Sequence, residues 1–410
     1  MRSRSNRLFT RSSDILDPMN STVTTTDAAA RARTVDWLTA WDSHGTHRTG
    51  TDGDEAGARW LADEVSSLGV EVTSEAFGLD RLDPVACYLE LGGERIPAVP
   101  VFDAPTTDAD GITGPLGFCG GGGRAILIAE LTPRSVYSGE YEKLRRGTPH
   151  RALVIVCSGE APGMGLLNAE HFRDPYGAPA IHVPSDVRER VLEAAARNTT
   201  GRLVAYNRYM QTIARNIVVP LRGRGGSSST VVVMTPRSSW WQSTSERGGS
   251  VVCWLEALRA LLKAPPSCDV IFTANSGHEL GHLGLDDFMA RRPRWKRPIS
   301  EGGATWVHFG ANIGAAGGEL LLQSASEDLR DLALSQLTRV AQIPDLIAPI
   351  STVPSGETRD IHRAGGCYVT LVGSNPLFHL PQDRWPQAVD ADVVARIATA
   401  AAALVVAVTR

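Results

Sequence analysis

CDVIFTANSGHELGHLGLDDFM, residues Cys268 to Met289, is the stretch whose reading decides the fold. Asp269 to Ala274 alternates and then runs apolar like a buried strand, Asn275-Ser276-Gly277 breaks it, and Leu280 to Met289 resumes at helical spacing. A strand followed at once by a helix predicts an α/β unit whose break lies at the carboxyl end of the strand, where ligands bind in open α/β sheets. His278, Glu279 and His282 fall at that break. A helix starting there stacks the two imidazoles on one face, roughly 6 Å apart at Cβ. HELGH is then an HExxH match, with His278 and His282 as metal ligands and Glu279 as the base that deprotonates a metal-activated water. Gly281 inside such a helix costs about 1 kcal/mol against alanine and points to close packing or approach to a ligand.

Outward from this stretch, strands and helices alternate. The sequence predicts helices over Ala28 to Ala40, Asp54 to Leu68, Val251 to Leu262, Glu327 to Val340 and Gly356 to Ala364. It predicts strands over Val70 to Phe77, Ala214 to Leu221, Thr230 to Met234, Thr305 to Gly314 and Cys367 to Val372. The pattern implies a mainly parallel sheet flanked by helices. From about Pro84 the character changes to short strands rich in Gly and Pro, which reads as an inserted β-rich domain. The expected division is a disordered tail over 1–30, a first catalytic part over 31–83, an insert over 84–206 and a second catalytic part over 207–410. Gly120 to Gly123 lacks the Lys-Ser/Thr and helix start of a phosphate loop and reads as a turn.

Composition bounds the function. The 410 residues are 42% hydrophobic and 21% charged, ordinary for a globular chain. A net charge of −4 and a pI near 6.2 argue against nucleic acid or an anionic membrane as partner. The six cysteines are scattered singly, the usage of reduced thiols in a cytoplasmic protein. Val393 to Val408 is too short to span a bilayer at about 20 residues and reads as a packed final helix.

HRTGTDGDEAGARWLADEVSSLGVEVTSEAF, the insert, ARNIVVPLRG leading to VVVMT, VVCWLEALRALL, DVIFTANSGHELGHLGLDDF, SGETRDIHRAGG and FHLPQDRWPQAVD follow one another in this order. The series resembles the zinc aminopeptidase family M28, including its version with an inserted protease-associated domain, and covers about 31 to 410. The resemblance implies a metal-dependent peptidase with a two-metal centre. This chain departs from it: Thr235-Pro236-Arg237 stands where the first ligands belong, Glu246-Arg247 where the bridging aspartate belongs, and His278-Glu279 where a Glu-Glu pair of base and ligand belongs. HFGANIG offers only His308 and Asn312 for a further aspartate, and the last histidine matches His379.

Two assemblies follow. In the first, His278 and His282 ligate one divalent metal, Zn²⁺ before Mn²⁺, with Glu357 or His379 as third ligand and Glu279 as base. In the second, Glu279 is a ligand beside His379 and His278 is the base. Arg237, Trp240, Trp241 and Arg247 replace the expected ligand loop and suit gripping a carboxylate and a flat ring of the substrate; His44, His47 and His362 read more readily as structural. The expected function is a hydrolase that cuts an amide or peptide bond of a small molecule or short peptide, with no membrane or nucleic-acid partner and room for a homo-oligomer. A true aminopeptidase and a metal-free binding protein on the same fold are the alternatives.

Overall fold

The computed structural model describes residues 10–11, 27–119, 125–147, 149–225 and 229–410. Most of the expected tail and the Gly120 to Gly123 turn lie outside these; Thr10–Arg11 pairs antiparallel with Leu346–Ile347. The central sheet is built from β1 (Thr73–Leu91), β2 (Thr200–Leu221), β3 (Thr230–Pro236), β4 (Asp269–Asn275), β5 (Thr305–Phe309), β6 (Leu320–Ser324) and β7 (Cys367–Gly373). Their order is β6-β7-β5-β3-β4-β2-β1. β4, β3, β5 and β7 run parallel, and β6, β2 and β1 join antiparallel at the two flanks. The fold is α/β with a mostly parallel sheet flanked by helices.

Strand alternation decides which helices cover which face. In β3, Val231 and Val233 belong to one core and Val232 and Met234 to the other. The first face is covered by α1 (Ala28–Ser43), α2 (Asp52–Ser67), α3 (Gly249–Lys263), α5 (Glu327–Arg339) and α7 (Ala391–Val408). The second is covered by α4 (Leu283–Arg291) and α6 (Thr358–Arg363), through Leu285, Phe288, Met289 and Ile361. α3 is apolar nearly all round because it lies between the sheet and α7, with Val251 to Leu255, Ala257, Leu258 and Leu261 buried. α7 has the length and hydropathy of a membrane span, yet Val394, Ile397, Ala398, Ala401, Leu404 and Val405 are buried in that same core.

β1 and β2 are much longer than the strands expected from the sequence. They pair without a break in hydrogen bonding from Thr73↔Val218 to Leu91↔Gly201, apart from one bulge at Pro84/Ala86. This ribbon leaves the central sheet and becomes part of a second one. There Ile112–Gly117, Ile126–Leu131, Ala152–Cys157, Ala180–Val183 and Val99–Pro100 lie side by side, with an apolar core of their own around Leu89, Leu116, Ile128, Val154, Ile181 and Leu203.

His182 sits on the Ala180–Val183 strand with no exposed surface, accepting the Leu167 N–H at 3.3 Å through Nε2. Burial pushes its imidazole down to about 3 from an ordinary 6.5. It is therefore neutral when folded, while the unfolded chain takes up a proton below 6.5, so its contribution is full above 6.5 and is lost as pH falls toward 3. Urea unfolding between pH 6 and 4.5 should show a pH slope smaller by about 1.4 kcal/mol per pH unit in His182→Gln than in the wild type. Equal slopes would contradict the assignment.

Candidate metal centre

All four parallel strands end at one edge, and the segments that follow them carry the polar interior. β4 ends at Asn275 and the chain turns at once, but not into the expected helix. His278–Leu280 is a single 3₁₀ turn, Gly277, Gly281 and His282 take φ of 86°, 75° and 64°, and α4 starts only at Leu283. The left-handed residues are the reason: three of them in six positions cannot propagate a right-handed helix. A Cβ on Gly281 would stand 2.8 Å from the Glu170 carbonyl oxygen, and one on Gly277 2.7 Å from Leu283 Cβ, so both positions require glycine.

The tight turn still brings the imidazoles together, with ring centroids 5.1 Å apart. Glu357, the residue before α6, completes the set: ligand atoms of His278, His282 and Glu357 all lie within 4.8 Å of one another. Tetrahedral zinc with bonds of about 2.0–2.1 Å needs its ligand atoms about 3.3 Å apart, so modest ring rotation closes the set on one ion. His278 Nδ1 contacts Glu357 Oε1 directly, and His308 Nε2, from β5, stands 3.5 Å from Glu357 Oε2. Neither ring nitrogen of His282 has a hydrogen-bond partner, although the residue is 2% exposed; Asp360 is 4.0 Å from its Nδ1. Buried imidazole nitrogens with nothing to bond are what a donor set for a cation looks like without its ion.

The charges of Glu357 and His278 agree with that reading, and that of His282 runs against it. Burial works against an ionised Glu357, but His278, His282 and His308 hold it well below the usual carboxylate range. Burial and then the Arg247 guanidinium push His278 down to about 4, which keeps its lone pair free for a metal. Burial also disfavours charge on His282, yet Asp360, Glu357 and Glu170 outweigh it and raise its pKa.

Glu279 is not part of the set. Its Oε1 accepts from Thr49 N and its Oε2 from Ser238 Oγ, each at 2.7 Å, in a site with no exposed surface. His379 lies apart from it too: its Nε2 faces Glu246 Oε1 at 3.6 Å, and its Nδ1 donates to the Leu166 carbonyl at 2.7 Å. Arg237 is buried and bound to Asp54 through Oδ1 at 2.7 Å and the carbonyl oxygen at 2.8 Å. Trp240 stacks on Phe102 at 4.6 Å inside an apolar cluster, and Trp241 donates Nε1–H to the His379 carbonyl at 2.9 Å. Arg247 is fully buried against Glu246 at 2.7 Å and donates Nε–H to the Ser238 carbonyl at 2.8 Å. None of these four lines the open cleft of about 440 Å³ that Tyr137, Glu170, His171 and Tyr176 from the 84–206 segment form with Ser355 and Arg359 beside α6, among others.

Solved structures with this layout include zinc aminopeptidases. BSAP, a zinc aminopeptidase from Bacillus subtilis, superposes with a TM-score of 0.71 at 17% identity, covering 92% of this chain and 94% of its own. The fold is that of the M28-type zinc aminopeptidases. A peptidase M28 precursor from Shewanella amazonensis SB2B gives a TM-score of 0.69 at 12% identity over 92% of this chain and 96% of that one. An aminopeptidase from Aneurinibacillus sp. strain AM-1 gives 0.64 at 17% identity over 92% and 93%. No protein-family model matches the sequence, and no curated protein matches it. At these identities the zinc aminopeptidase likeness is one of architecture, and the chemistry rests on the residues above. Ser238 and Thr49 were polar centres that the sequence did not point to, being a hydroxyl in each of two polar loops; Glu246 stands where the resemblance puts the bridging aspartate, three residues before α3.

Because Asp54 also accepts from Ser276 Oγ at 2.9 and 3.0 Å and from Gly50 N at 2.9 Å, Arg237 is the counter-charge of a buried hub. Arg237→Met should lower unfolding stability by about 3–5 kcal/mol, since it strands that carboxylate. A stably folded variant with altered substrate affinity would instead make Arg237 a ligand-binding residue.

Proposed function

We propose that this chain is a metal-dependent hydrolase that cleaves a C–N bond, amide or peptide, in a small substrate, using one divalent cation held by His278, His282 and Glu357. The observation that carries the reading is the convergence of those three buried ligands within 4.8 Å at the carboxyl edge of the parallel strands. Two imidazoles and a carboxylate leave a fourth position open, which suits Zn²⁺ first and Mn²⁺ second. The cation supplies Lewis acidity, polarising a carbonyl and lowering the pKa of water.

The chain's own residues do the rest. His308 stands 3.5 Å from Glu357 and Asp360 4.0 Å from His282, close enough for small side-chain movements to make them outer partners of the ligands. The cleft borders this set: Ser355 and Arg359 flank Glu357 in sequence, and the Glu170 carbonyl abuts Gly281. Arg359, bound to Glu170 at 2.9 Å, and the rings of Tyr137 and Tyr176 suit a substrate with a carboxylate and a flat apolar group. Glu279, fully buried and outside the three-ligand set, can serve as base only if the turn opens to admit water. The direct His278–Glu357 contact supports a second arrangement of the same reaction, in which Glu357 orients His278 as the general base.

Metal analysis after metal-replete expression should find one tightly held Zn²⁺ or Mn²⁺ per chain. His282→Ala and Glu357→Gln should each abolish retention on dialysis, while Glu279→Gln keeps the metal. A folded wild type that holds no metal sinks the hydrolase reading and leaves a binding protein. Retention by His282→Ala with loss in Glu279→Gln selects the arrangement in which Glu279 ligates.

A further inference from the structure

Beside the three-ligand set lies a second constellation that the reaction above does not use. His379 donates Nδ1–H to the Leu166 carbonyl at 2.7 Å, which fixes the tautomer and leaves a lone pair on Nε2. That lone pair faces the Glu246 carboxylate at 3.6 Å, and neither group has an aligned hydrogen-bond partner. Both side chains are 1% exposed. Two buried acceptors facing one another are stable only with a cation or a donor between them. The arrangement is also held rigidly. Asp383 accepts from Ser245 N at 2.8 Å and Glu246 N at 3.0 Å, Trp241 Nε1–H holds the His379 carbonyl, and Ser243 and His379 both keep positive φ, at 46° and 62°.

The next residue supplies the cation. Arg247 Nη2 lies 2.7 Å from Glu246 Oε1, its Nε–H is anchored on the Ser238 carbonyl at 2.8 Å, and Nη1 and Nη2 make no aligned hydrogen bond to the protein. We infer that Glu246 and His379 form a pre-built cation position that Arg247 fills from within, so that the two-metal centre implied by the resemblance does not fit this chain, and that removing the guanidinium opens the position to a divalent ion. A guanidinium cannot be deprotonated or washed out, so it holds the charge of a bound ion without an ion's exchange. The inference goes beyond the hydrolase reading and does not depend on it.

The test compares wild type, Arg247→Met, and Arg247→Met/Glu246→Gln, dialysed against Zn²⁺ or Mn²⁺ and then analysed for metal content and thermal unfolding with and without chelator. Arg247→Met should hold one more metal per chain than wild type. In chelator it should unfold at a lower temperature than wild type and recover when metal is returned. The double variant, with both charges gone, should show neither the gain nor the metal-dependent recovery. A folded Arg247→Met with the metal content of wild type overturns the inference. If Arg247→Met does not fold, a double variant that folds supports the inference and one equally unfolded overturns it. Counting relative to wild type, and repeating Arg247→Met in a Glu357→Gln background, separates this result from loss of the His278, His282 and Glu357 site.

Discussion

The Ser238 hydroxyl is the point on which the site depends. It donates to Glu279 Oε2 and accepts the N–H groups of Gly277 at 2.7 Å and His278 at 3.0 Å. Thr49 closes the other side, giving its N–H to Glu279 and accepting Gly277 N–H on its hydroxyl at 2.9 Å. Two loops from distant parts of the chain are thereby tied to one turn. Without those partners the N–H groups of a left-handed turn in a dry interior would go unpaired, at about 1–3 kcal/mol each. Burial raises the Glu279 pKa and the Thr49 and Ser238 bonds oppose it, which suits a carboxylate that holds a turn in shape.

That constraint explains why a motif written for a helix works here without one. In a helix the i and i+4 imidazoles meet through the regular stack of one face. Here Gly277, Gly281 and His282 fold the chain back on itself, and His282 reaches His278 across the turn. Ser243, His282, Asn312 and His379 are four of the six non-glycine residues with positive φ among those described, and all four lie in the segments that follow parallel strands. Backbone strain of this kind persists where packing over-determines it, and it concentrates where side chains must be aimed.

What the sequence disclosed and what it hid divide along the same line. The α/β alternation, the apolar strand β4 and the apolar helix α3 were legible because burial on both sides writes itself into residue type. The pairing of His278 with His282 was legible from spacing alone, and Glu357 was among the third ligands considered. The turn's conformation was not, since HELGH reads as helix unless the close approach of the Glu170 carbonyl to Gly281 is known. The fates of Arg237 and Arg247 were hidden for a related reason. Each is an arginine in a loop, and only the fold reveals that a buried carboxylate, Asp54 or Glu246, waits for it.

Those two ion pairs bear on how the site could change while its scaffold stayed. A carboxylate that faces a metal in one protein becomes an uncompensated charge when the metal is gone, and a buried charge of that kind destabilises the fold by several kcal/mol. An arginine one residue further along the turn restores neutrality without moving the backbone, because its Nε can bond the Ser238 carbonyl while its Nη atoms reach Glu246. Its charge then extends to His278 and, together with burial, keeps that imidazole neutral. A neutral His278 beside an ionised Glu357 is the protonation state that a cation requires of its ligands. The guanidinium's charge thus reaches from one cluster into the other, which is why the two are best understood as one electrostatic unit.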